Sequence, residues 1–153
     1  MDFGIVLLAG ISGTLIMTGF TESVAFFFKK PFHDIRILSI MLPFQKKIES
    51  PRPGIYLAAT LLHYLIGVIF TYFYQWQLME RWIINDLLSA FLYGGIIGSI
   101  AVIGWRIYFS IHPNPPPIDL KSYLLTIWFG HIALSMTAAA VFDLFFASTP
   151  MKA

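Results

Sequence analysis

Four long apolar runs constrain this chain more than any other feature. They cover roughly residues 3–28, 54–76, 87–109 and 121–146. Each reaches the roughly 20 apolar residues that a helix needs to cross a bilayer core of about 30 Å. Inside hydrocarbon the backbone must bond to itself, so only helices and closed barrels can span. The runs are continuous and lack the alternation of barrel strands, so helices are expected. The predicted fold is all-α: a single integral membrane domain, an up-down-up-down four-helix bundle. Charged residues make up 12% of the 153, against about 25% in soluble domains. So few charges cannot clothe a water-facing surface, which excludes an ordinary soluble enzyme and a disordered chain. The dispersed net charge of +2 excludes a nucleic-acid binder. The absence of cysteine removes disulfides, thiolate catalysis, iron–sulfur clusters and Cys-type zinc sites.

The first run has no Lys or Arg ahead of it and is too long for the apolar region of a signal peptide, so it is expected to remain a span. Orientation follows from the basic residues of the connections. Loop 29–53 holds Lys29, Lys30, Arg36, Lys46, Lys47 and Arg52, and Arg106 and Lys121 flank loop 110–120. The other side has only Arg81 and Lys152. Both basic loops are therefore expected in the cytoplasm and both termini outside. Trp76, Trp82, Trp105, Tyr72, Tyr74 and Tyr108 lie near span ends, as in an aromatic belt.

Within the first loop, Pro31 and Pro43 bracket a short apolar stretch. Phe32, Ile35, Leu38 and Leu42 recur at helical spacing, with His33, Arg36 and Ser39 on another face. This predicts either an amphipathic helix lying in the interface or a hydrophobic loop packed on the bundle. The run 112–117 contains four prolines and reads as a stiff non-helical connector rather than a polyproline ligand. Asp119 is a candidate N-cap for the fourth helix and Asn85 or Asp86 for the third, and Pro53 suits the first turn of the second.

The chain also reads as two helix pairs in tandem. Spans two and four each follow a proline-containing connector and carry an early tyrosine, Tyr56 or Tyr123. Each then carries one histidine with smaller residues at helical spacing. The rows are His63, Gly67, Thr71 and His131, Ser135, Ala139. An internal two-fold along the membrane normal follows from that pattern. At 1.5 Å per residue, both histidines lie about 14–15 Å inside their spans, near the midplane.

Glu22 is the sharpest anomaly, a carboxyl about 9 Å inside the first span. It must be protonated, paired or in contact with water. Thr14 and Thr18 precede it on the same face. The functional reading is a proton or ligand site of Thr18, Glu22, His63 and His131. The competing reading is a structural hydrogen-bond cluster, with Glu22 reaching toward Lys29 or Lys30. The two histidines also suggest axial ligation of a b-type haem, since two neutral imidazoles at one depth with small neighbours leave room for a porphyrin. No metal site is assigned. Asp143, near the outer end of span four, reads as an interfacial residue. Gly13, Gly67, Gly94, Gly98 and Ser135 read as helix-packing positions, with Gly94 and Gly98 forming a GxxxG.

Gly13-Thr14, Met17-Thr18, Leu62-His63 with Gly67, Tyr93-Gly94, the proline-rich turn and His131 together resemble small four-span bacterial inner-membrane proteins of families of unknown function. The resemblance implies a bacterial inner membrane and a four-helix bundle, and no reaction. The expected function is that of a non-enzymatic multi-pass protein, an accessory subunit of a larger membrane complex or a homo-oligomer, with a polar midplane site. The alternatives are a haem b electron-transfer protein using His63 and His131, and a small proton-coupled carrier or channel.

Overall fold

In a computed structural model of the chain, residues 2–44 and 52–146 are described, the last without its side chain. Lys46, Lys47 and Lys152 of the charge count lie outside them. Five helices follow in order: α1 (Phe3–Phe28), α2 (Asp34–Met41), α3 (Pro53–Met79), α4 (Leu87–Ile111) and α5 (Leu120–Phe146). Among the described residues there is no strand. Helices α1, α3, α4 and α5 are long and apolar enough to cross a membrane, the mark of a multi-pass membrane protein. Their outer faces carry exposed Leu, Ile and Phe along their length, as lipid-facing surfaces do.

The helix ends follow from local chemistry. The Asp2 carboxylate accepts from Gly4 N at 2.9 Å and Ile5 N at 3.3 Å and caps α1. Lys29 ends α1 in the left-handed region, φ 50°, and Pro31 prevents continuation. Asp86 caps α4 through Ser89 N at 2.6 Å. Asp119 accepts from Ser122 N at 3.3 Å at the start of α5, and Pro53 opens α3. Asn85 does not cap. Its amide instead ties Tyr74, the Ala139 carbonyl and Asp143 together.

Helix α1 packs against both α3 and α5, and α5 packs against α4. The glycine rows set these approaches. A β-carbon on Gly94 would stand 2.6 Å from the Ile132 Cα, and one on Gly98 would stand 2.9 Å from the Trp128 carbonyl oxygen. Gly13 meets the Leu134 carbonyl in the same way, and Gly67 leaves no room beside the Thr14 hydroxyl. Ser135 is buried in the α4–α5 contact beside Gly94.

Helices α3 and α4 meet only toward the end opposite α2. There the Tyr93 hydroxyl donates to the Phe70 carbonyl at 2.7 Å, and the rings of Tyr74 and Tyr93 lie 4.9 Å apart. Toward the other end α2 takes the place of that contact. It packs on α3 and buries Phe32, Ile37 and Met41 with Phe109, Tyr123 and Ile127. The Tyr108 hydroxyl donates to the Met41 carbonyl at 2.7 Å.

Three expectations are corrected here. The segment between the prolines is a helix, as in the first of its two readings, and packs on the bundle, as in the second. Its buried residues are Asp34, Ile37, Ser39 and Met41, and of the expected stripe Phe32, Ile35, Leu38 and Leu42 only Phe32 is buried. The internal two-fold is not matched by the packing, because α1 and α5 pack closely whereas their counterparts α3 and α4 do not. Two of the belt aromatics turn inward: Tyr74 is buried against Phe142, and Trp105 packs on Tyr123 and Phe109.

Candidate functional site

Where α2 holds the spans apart, a cavity of about 270 Å³ remains. All five helices line it. Its polar wall consists of Thr14 from α1, Asp34 from α2, His63 from α3 and His131 from α5. Met17, Phe70, Trp105, Ile127 and Leu134 supply apolar wall. Only two lining residues are exposed, Ile66 on α3 and Gly104 on α4. They belong to the two helices that do not pack along this half, so the mouth of the cavity lies between those helices. Gly104 sits about 10 Å inside the α2 end of its span. The mouth therefore opens on the flank of the bundle rather than at its end.

The hydrogen bonds assign a tautomer to each neutral imidazole. The Thr18 hydroxyl spends its only hydrogen on the Thr14 carbonyl at 2.8 Å. Its 3.2 Å contact with His63 Nε2 therefore requires Nε2–H as donor. Neutral His63 then keeps a lone pair on Nδ1. His131 is the opposite tautomer. Its Nδ1–H donates to the Ile127 carbonyl at 2.8 Å, which leaves the lone pair on Nε2. The edge contact with Phe70, centroids 5.8 Å apart, holds the ring. Two hydrogen-bond acceptors thus line one cavity.

The cavity brings His63 and His131 together, with Thr18 behind His63. Glu22 is elsewhere. It lies one turn nearer the α2 end of α1, and its Oε2 meets His33 Nδ1 at 2.7 Å on an exposed surface. Lys30 does not reach Glu22; it pairs with Asp119 at 3.4 Å.

Asp34 takes the buried position that sequence reasoning gave to Glu22. It is 2% exposed. The Thr21 and Tyr123 hydroxyls lie beside it, yet no aligned hydrogen bond forms to either carboxyl oxygen or to the Tyr123 oxygen. Burial pushes this carboxyl up to about 7. Glu22 adds to the effect, and the two neighbouring hydroxyls oppose it. One signal for Asp34 was present in the sequence. Asp34, Ile37 and Met41 stand at i, i+3, i+7, a second stripe on the same short helix.

Among the described residues, no three His, Cys, Asp or Glu side chains converge as a metal site would need. A bis-histidine haem would use the two free lone pairs. The cavity, however, is smaller than the roughly 300–1,000 Å³ of ordinary ligand sites. No family model, no curated protein and no solved structure matches the chain.

Proposed function

We propose that this is a non-enzymatic membrane protein, an accessory subunit or homo-oligomer, whose midplane cavity binds a small lipid-soluble molecule. The ligand enters sideways from the bilayer between α3 and α4. One observation supports the reading: two imidazoles with unused lone pairs line a cavity whose exposed rim among the described residues, Ile66 and Gly104, lies on the flank of the apolar spans. Acceptors set in an apolar chamber favour a ligand with an apolar body and a hydrogen-bond donor. Basic residues concentrate at the α2 end, among them Lys29, Lys30, Arg36, Arg52, Arg106 and Lys121. That end is cytoplasmic in this reading, and the membrane is the bacterial inner membrane.

The test is native mass spectrometry of the protein released from nanodiscs made directly from the expressing membranes. The expected result is a small-molecule adduct in wild type that is lost in Gly104→Phe. Gly104 has open space where a side chain would start, so this variant folds and plugs the mouth. A wild-type chain without adduct, or an adduct indifferent to Gly104→Phe, overturns the reading. The same spectra report the number of copies per particle. An absorption spectrum with a Soret band, lost in both His63→Ala and His131→Ala, would replace the reading with haem ligation.

A further inference from the structure

Asp34 has no role in the ligand reading, and its position asks for one. It opens α2, where the positive end of a helix dipole favours an anion. Yet it is buried, both its oxygens are unpartnered, and no cation pairs with it among the described residues. An unpaired buried carboxylate is costly, so such a group survives as a neutral acid or has a use.

The surroundings are arranged asymmetrically. On one side stands the exposed Glu22–His33 pair, whose side chains are 47% and 38% exposed. Glu22 is close enough for its charge to act on Asp34, and His33 is the next residue in the chain. On the other side is the cavity. Asp34 lines it together with His63 and His131. α1 contributes Thr21 and Glu22 to the carboxyl's surroundings, and α5 contributes Tyr123. The α4 residues on the wall, Ala101, Gly104 and Trp105, do not titrate. Asp34 is thus the one acid that belongs both to the cavity wall and to the neighbourhood of the surface pair.

We propose that Asp34 is a proton-loading site joining the α2-end surface to the midplane cavity. A proton taken from water at the Glu22–His33 pair forms an O–H bond on the Asp34 carboxylate. That bond breaks when a lone pair in the cavity, such as Nε2 of His131, accepts the proton, and the carboxylate is restored. One positive charge moves from surface to midplane, and no electron is transferred. A cavity of about 270 Å³ has room for waters to bridge the gap, at about 30 Å³ each. A carboxyl that changes state near neutral pH suits this role, as a permanently charged or permanently neutral one would not. The inference does not depend on what the cavity binds.

Infrared spectra of the full chain in nanodiscs test it, recorded across the range from about pH 5 to about pH 9. A protonated-carboxyl C=O band should fade with a midpoint near neutrality and vanish in Asp34→Asn. It should shift within seconds of transfer to D₂O, because the surface pair keeps the group in exchange. Glu22→Gln should lower the midpoint, since a neighbouring negative charge is removed. Three results each overturn the proposal: no such band, a band that persists in Asp34→Asn, or a band that fails to shift in D₂O. If Asp34→Asn does not fold, Glu22→Gln takes its place. It keeps the carboxyl and should lower the midpoint of the band. A band whose midpoint is unmoved in Glu22→Gln belongs to another acid and sinks the idea.

Discussion

The two halves of the bundle use similar apolar spans and reach different ends. Opposite α2, the helices close on one another around Tyr74, Tyr93, Ala90, Ala139 and Phe142. The tyrosine hydroxyls there are bonded, to Asn85 and to the Phe70 carbonyl. The Gln75 side-chain oxygen and the Ser135 hydroxyl are the buried exceptions among the described residues of that half. Toward α2, a second apolar cluster forms around Phe32, Met41, Phe109 and Tyr123, but Asp34 and Tyr123 are buried without partners, and the cavity lies beside them. Lipid tails are as apolar as leucine, so burial alone does not hold spans together. Close packing and completed hydrogen bonds do. Where both are present the bundle is shut. Where a short helix intervenes, space and unspent polarity remain, and function is proposed there.

Four substitutions break or sharpen this contrast. The largest effect is expected from Gly94→Leu, which drives a side chain into the Ile132 backbone. It should destabilise by about 3 kcal/mol, read as a fall in unfolding temperature in detergent. Next is Asp34→Asn, whose effect depends on pH. The folded carboxyl titrates near 7, above its unfolded value of about 3.9. The folded state therefore holds the proton more tightly. Wild-type stability falls as pH rises from about 4 to about 7 and then levels. Asp34→Asn removes that slope, so its stability relative to wild type should rise between pH 5 and pH 8, by about 2.5 kcal/mol. Thermal melts at the two pH values check the sign. Tyr74→Phe removes the bond to Asn85 and should cost about 0.6–1 kcal/mol. The smallest effect is expected for Lys30→Ala, which removes an exposed pair with Asp119 and should change stability by less than about 0.5 kcal/mol.

The spans were legible because membrane helices announce themselves by length and hydropathy. The residues 3–28 and 87–109 read from sequence differ from α1 and α4 by two residues at most. The level of His63 and His131 followed from helix rise alone. That both line one cavity did not, since it depends on how the helices rotate about their axes. Glu22 drew attention because it is an acid inside a hydrophobic run. The run, however, extends past the point where α1 reaches its polar end, and an acid one turn from that end finds His33. Asp34 went unremarked for the opposite reason. It sits in a connection that reads as an interfacial helix or a loop packed on the bundle, and an acid in a connection is ordinarily solvated. Only the tertiary placement of α2 buries it. The internal two-fold misled because similar spans do not specify whether a short connecting helix will come between them.

The insertion of α2 has a consequence for biogenesis. With eight residues, α2 cannot span, and it is made before α3, α4 and α5. Its docking partners Phe109, Tyr123 and Ile127 belong to segments that emerge last. Until those arrive, α2 has only the earlier spans to pack on. The cavity is therefore completed in a final step, when α4 and α5 supply its remaining walls. Assembly in this protein is ordered by position in the chain, and the candidate site is the last part to exist.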